Sequence, residues 1–266
     1  MRWIRPFSLV ALLAALCWFE FAQPLTAAEF AQRTRDTFDS RPARRILILG
    51  NSRTYYNGMP AMIRAMADSA KDPNLYEITV EALPGASFES LWGTPEAQTL
   101  LHERWDDAIL QSESRAQGTE ALKTSFLTYG PKLIGAIRLS SGAPRLVVNW
   151  NYSTELFDNG DPDGSGRAAY DRVIQDGTRL LGDRTGARLV NVGRLWSITR
   201  TDHPTIALTS DGNHPSLAGS YLFALALYAD LSHADVGRVT YIPSGLDTAT
   251  ATTLRQVVQD QQAIGS

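Results

Sequence analysis

The stretch RILILGNSRTYYNGMP, Arg45–Pro60, decides how the rest of the chain is read. Four consecutive aliphatic residues, Ile46 to Leu49, suit a strand covered on both faces better than one alternating between core and water. The run stops at Gly50-Asn51-Ser52, and a segment of helical spacing begins near residue 58. A strand that ends on glycine and at once presents a serine has two explanations. It is a tight turn into a helix, or Ser52 is held at the strand's carboxyl edge because its hydroxyl reacts.

Outward from this stretch, short aliphatic runs recur at 76–82, 107–110, 145–150 and 188–193. Segments with helical spacing lie between or after them, at about 58–70, 119–141, 166–183 and 215–230, and a last one spans about 249–262. Strands alternating with helix-length segments predict a three-layer α/β/α sandwich with a central parallel sheet. In such open sheets ligands bind outside the carboxyl ends of the strands, which is where Ser52 would lie.

The amino terminus reads as a secretory signal peptide over 1–28. Arg2 and Arg5 precede an apolar run from Phe7 to Trp18, and the small residues Thr26 and Ala28 precede a cut after Ala28. The alternative is a retained membrane anchor, but Glu20 breaks the run short of the ~20 apolar residues a span needs. The expectation is therefore one domain over 29–266, periplasmic or secreted, with no stable membrane insertion after cleavage. The single cysteine, Cys17, leaves with the signal, which excludes a disulfide, a thiol nucleophile and a thiolate metal site. A net charge of −3 argues against a nucleic-acid partner. Asn159–Gly164, NGDPDG, begins like a calcium loop, yet its twelfth position is Tyr170 where a bidentate Glu is needed. The GSG at 164–166 lacks the preceding strand of a dinucleotide fingerprint. No metal and no cofactor is expected, and nothing in the sequence sets the oligomeric state.

A serine hydroxyl becomes a nucleophile only when a base takes its proton, and the base needs an orienting partner. Four histidines are available. His102 falls in a helical segment with a surface pattern, His233 follows a helix whose carboxyl end it can complement, and His203 lies in a loop after Asp202. His214 sits in SDGNHPSLAG, three residues after Asp211 and just before a long apolar helix. That spacing lets the Asp211 carboxylate fold back onto one imidazole nitrogen and leaves the other for a serine. It equally suits an Asx turn with a capping role.

The pair ILILGNSRTYYN and DGNHPSLAGSYLFA resembles the first and last sequence blocks of the SGNH hydrolases, the GDSL-type esterase superfamily, in the branch whose first block reads GNS. The resemblance spans most of 29–266 and implies a flavodoxin-like fold and ester hydrolysis without a cofactor. It makes Ser52 the nucleophile, His214 the base and then acid, and Asp211 the orienting group. It also implies an oxyanion hole from the backbone N–H groups of Ser52 and Gly85, although Gly85 in ALPGASFE equally suits an ordinary Pro-Gly turn. The third block departs from the pattern, because ILQSESRA has no asparagine after the strand. Gln111 is the expected replacement donor, since Glu113 when ionised only accepts. Asn51 stands where the family usually has Asp. Exported relatives of this kind often remove acetyl groups from polysaccharides, so an O-acetylated carbohydrate is the expected substrate, with Tyr55, Tyr56 and Trp150 available to line a sugar. Trp92 and Tyr152 also fall near the predicted strand edges. The alternatives are a lipolytic esterase or thioesterase, and an inactive carbohydrate-binding protein on the same fold.

Overall fold

The computed structural model describes residues 39–152 and 165–265. The segment read as a signal peptide, 1–28, and the calcium-like stretch at 159–164 lie outside them. The unit from Arg41 onward is built on five parallel strands, β1 (Ala43–Gly50), β2 (Leu75–Ala82), β3 (Asp107–Leu110), β4 (Ala143–Val147) and β5 (Arg188–Val190), in the order β2-β1-β3-β4-β5. The connecting helices are α1 (Ser52–Tyr55), α2 (Met59–Ser69), α3 (Phe88–Gly93), α4 (Pro95–Leu101), α5 (Glu120–Leu139), α6 (Ser165–Thr185) and α7 (Val192–Asp202). Two more, α8 (Leu217–Ser232) and α9 (Thr248–Gly265), complete the layers.

The aliphatic run in β1 explains the layering. Ile46 to Leu49 are fully buried, and their alternation splits them between two cores. Ile46 and Ile48 pack with Met62 and Met66 of α2 and Phe223 and Leu227 of α8, whereas Leu47 and Leu49 face Phe88 of α3 and Leu133 of α5. The α8 helix is apolar all round and almost wholly buried, as a central covering helix must be. This is the predicted three-layer sandwich. Two strand ends differ: the run at 145–150 is a strand only to Val147, and the run at 188–193 only to Val190, because Asn191 accepts the N–H of Arg194 and starts α7.

At the amino ends of the strands, a chain of charges crosses the sheet. Arg44 of β1 and Arg145 of β4 both bind Asp107 of β3, and Arg145 and Arg188 of β5 both bind Asp230 of α8. Arg145 and Asp107 are buried in this chain of charges and Asp230 is partly so, and the three satisfy one another. The carboxyl ends carry different chemistry. The chain leaves β1 toward β2 on one side and resumes with β3 on the other, so the carboxyl end of β1 is a topological switch point, where open sheets bind their ligands. Ser52 follows β1 directly.

Candidate active site

Gly50 ends β1 because a Cβ there would lie 2.7 Å from the Thr54 side chain, which folds back to give its hydroxyl to Asn51 O at 2.6 Å. Asn51 is extended and caps α1, its Oδ1 accepting the N–H of Arg53 at 3.2 Å. Ser52 is the first residue of that helix, so its N–H has no acceptor within the helix and is open to an anion.

The loop before α8 presents His214 to Ser52. Asp211 uses both oxygens on it. Its Oδ1 accepts the backbone N–H groups of Asn213 (2.9 Å) and His214 (2.7 Å), and its Oδ2 accepts His214 Nδ1–H at 2.6 Å. The Asx turn and the imidazole contact, alternatives in sequence, are one arrangement. Helix capping is done elsewhere, by Ser216, whose Oγ accepts the N–H of Gly219 at 3.1 Å. Desolvation pulls the Asp211 carboxyl upward, but the hydrogen bonds from the His214 ring and from the two backbone N–H groups outweigh it and hold it at about 2. An ionised carboxylate only accepts, so the imidazole proton is on Nδ1. The Nε2 lone pair then faces Ser52 Oγ at 3.0 Å.

The residues after Ser52 receive this loop. Tyr56 stacks flat on the His214 ring, with centroids 4.3 Å apart and planes within 7°. Asn57, left-handed at φ 54°, donates to Pro215 O and Ser220 Oγ. Arg53 reaches Asn213, the neighbour of His214. None of these three roles was foreseen from sequence; the signal available was the density of polar and aromatic residues in SRTYYN.

Gly85 has φ +67° and open space around the position of a Cβ. It follows Pro84 in a turn closed by Ala86 N–H to Leu83 O at 3.1 Å. That turn is tied to the Ser52 loop, since Asn51 Nδ2 donates to Ala86 O at 3.2 Å.

Gln111 does not play the part expected of it. It is fully buried, and its amide donates to Ser112 O (2.6 Å) and Asn149 Oδ1 (2.8 Å), while its Oε1 accepts the N–H of Asn51. Both amide hydrogens are spent, so neither remains for an oxyanion. Asn51, Gln111 and Asn149 instead form a buried cluster whose three amides all donate to Ser112 O. Glu113, at the offset of the missing asparagine, has its carboxyl pushed up by burial against the pull of Arg115.

Of the other candidates, Trp150 is 1% exposed and stacked on Trp196 at 4.1 Å, so it is a core residue and not a sugar platform. Tyr56 is covered by His214, and Tyr55, at 38% exposure, is the most open of the three named aromatics. Trp92 is partly buried against the α3–α5 core, and the Tyr152 hydroxyl meets Ser114 Oγ. His203 and His233 cap the carboxyl ends of α7 and α8, and His102 binds Gln98 O within its own helical turn. Among the described residues, no group of three or more His, Cys, Asp or Glu side chains is arranged to hold a metal ion, and no helix is long and apolar enough to cross a membrane.

No protein-family model matches this chain, and no curated protein matches it. Solved structures do. A protein of Slackia heliotrinireducens described as a "putative SGNH hydrolase" is 27% identical, with a TM-score of 0.58 over 72% of this chain and 100% of its own. The chain belongs to the SGNH hydrolase superfamily. A DUF4886 family protein of Bacteroides uniformis superposes on this SGNH chain with a TM-score of 0.71 at 17% identity, covering 84% of this chain and 96% of its own. Axe2, an acetylxylan esterase of Geobacillus stearothermophilus, does so with a TM-score of 0.56 at 14% identity, over 72% and 95%. Identities this low carry the SGNH fold alone.

Proposed function

We propose that the protein is an exported serine esterase that removes O-acetyl groups from a carbohydrate. The observation that carries the esterase reading is the line Ser52 Oγ–His214 Nε2–His214 Nδ1–Asp211 Oδ2, with contacts of 3.0 and 2.6 Å. In this reading Ser52 Oγ attacks the ester carbonyl while Nε2 takes its proton. Asp211 stabilises the imidazolium and does not itself take the proton. The tetrahedral oxyanion is met by the N–H of Ser52, at the head of α1, and by the N–H of Gly85 in the open Pro-Gly turn. Collapse breaks the ester C–O bond, and the imidazolium proton goes to the leaving alcohol oxygen. A water, deprotonated by the same Nε2, then releases the acyl group as a carboxylic acid and restores Ser52.

Two further observations support the acetyl and carbohydrate parts of the proposal. Two structural neighbours bear the name acetyl xylan esterase, and Tyr55 offers an exposed ring on the same short helix as Ser52. Export rests on the sequence of residues 1–28. The test has two stages. A fluorophosphonate should label the protein at Ser52, and the label should vanish in Ser52→Ala. Labelled protein should then prefer nitrophenyl acetate to nitrophenyl octanoate and release acetate from acetylated glycans. No labelling would leave an inactive sugar-binding protein, and octanoate preference without acetate release would leave a lipolytic esterase.

A further inference from the structure

Arg53 follows the nucleophile directly, yet it is 2% exposed and turns away from solvent. Its guanidinium donates through Nε (3.1 Å) and Nη2 (2.7 Å) to Asn213 Oδ1, and through Nη1 (2.7 Å) to Trp150 O. It lies over the Trp150 ring at 4.5 Å and near the Tyr152 ring at 5.3 Å, and Trp150 in turn stacks on Trp196. Trp150 also donates from Nε1 to Asn213 O at 3.2 Å. Asn213 is therefore held at both its side-chain and backbone oxygens by one rigid stack. Among the described residues no carboxylate lies within ion-pair distance of Arg53. Burial draws its pKa down to about 10, with Tyr152, Tyr170 and Asp211 opposing and Arg200 assisting, so the cation persists at neutral pH.

A buried cation bonded only to neutral groups is a costly way to hold a loop, because desolvation of the charge is not returned by a counter-ion. A methionine or leucine of similar volume would fill the space. What an apolar side chain cannot do is fix the position of Asn213 Oδ1 through a planar two-pronged fork. Asn213 precedes His214, and its own N–H is bound by Asp211. A shift at Asn213 therefore moves the imidazole relative to Ser52. We propose that Arg53 is a positioning residue of the esterase site, holding His214 in line with Ser52 through Asn213.

This inference rests on the esterase reading, and its test is separable from it. Wild-type turnover and fluorophosphonate labelling decide the esterase reading alone. The inference is tested by measuring kcat per labelled site, KM and melting temperature for Arg53→Met, Asn213→Ala and the double variant. The expected result is a fall in kcat on the order of 10- to 100-fold in each single variant, as misplacement of a catalytic group produces, with KM nearly unchanged. The double variant should lose little more than Arg53→Met, because both substitutions break one connection. Arg53→Lys, which keeps the charge but not the fork, should recover only part of kcat. Unchanged kcat per labelled site in Asn213→Ala would overturn the proposal even if Arg53→Met failed to fold. Losses that multiply in the double variant would overturn it as well.

Discussion

Asn51→Asp tests why this chain departs from the usual Asp of its superfamily. The Asn51 side chain is buried, with Oδ1 facing the N–H of Arg53 and Nδ2 facing the carbonyls of Ala86 and Ser112, each at 3.2 Å. The substitution leaves the first contact intact and replaces a two-hydrogen donor by an acceptor aimed at two acceptors. Losing two such bonds removes roughly 1 kcal/mol each. The buried carboxyl then avoids ionising, and each unit by which its pKa rises costs about 1.4 kcal/mol once the pH exceeds that raised value. With a rise of about two units, the sum is roughly 4–5 kcal/mol at neutral pH. The sign follows from linkage. A carboxyl raised in the folded state is least harmful below its unfolded pKa and most harmful above its folded one. The melting temperature of Asn51→Asp should thus fall below wild type by roughly 10 °C or more at pH 8, for a domain this size, and by clearly less at pH 5. A variant melting within a degree or two of wild type at both pH values would refute the reasoning.

Three further outcomes follow. Ser52→Ala and His214→Ala should abolish hydrolysis of nitrophenyl acetate, while His203→Ala, at the end of α7, should leave it largely intact; an inactive His203→Ala alongside an active His214→Ala would make His203 the base. Asp107→Ala leaves Arg44 without its carboxylate and Arg145 with Asp230 alone at the far end of the sheet, so denaturant unfolding should show a loss of about 3 kcal/mol with kcat of the folded protein unchanged. Asp211 is held at about 2, below its ordinary 3.8, so it stabilises the fold above the higher value and loses that contribution as the pH falls toward the lower. The difference in urea midpoint between wild type and Asp211→Asn should therefore be present at pH 6 and close between about pH 4 and pH 2.

The parts of this structure legible in the sequence are those that depend on local pattern. The run Ile46–Leu49 announced a strand covered on both faces, and the helical segments at 58–70 and 119–141 appear as α2 and α5 within a residue or two. Asp211 and His214 could be paired because their contact is made within one turn. Gln111 could not be placed, because its role depends on Asn51 and Asn149, sixty and thirty-eight residues away. From sequence it was an amide in the right neighbourhood; in the fold its hydrogens are already committed. Trp150 failed as a sugar platform for the same reason, since its burial is set by Trp196 and Phe223. The over-long reading of β5 has a local cause, in that an Asn cap and a short strand end look alike when flanked by valines.

The same long-range contacts suggest why neutral amides gather at one end of the sheet and ions at the other. Around Asp107 and Asp230 the charges are fixed in the ground state, and full pairing is the only requirement. Around Ser52 a negative charge must appear and vanish during turnover in the proposed reaction. A carboxylate fixed beside the nucleophile would oppose that charge at close range, where the low dielectric leaves it little screened. Asn51, Gln111 and Asn149 can tie the Ala86 turn, the Ser112 loop and the end of β4 together without adding any net charge. Arg53 and Asp211 keep their charges beside this site, and the imidazolium is transient. Asp211 acts on the imidazole it already binds, and Arg53 is of the sign that favours an oxyanion. On this view Asn51 and Arg53, which flank the serine, are two parts of one electrostatic solution, and Asn51→Asp should depress kcat in the folded protein at pH 8 beyond what its lower stability explains.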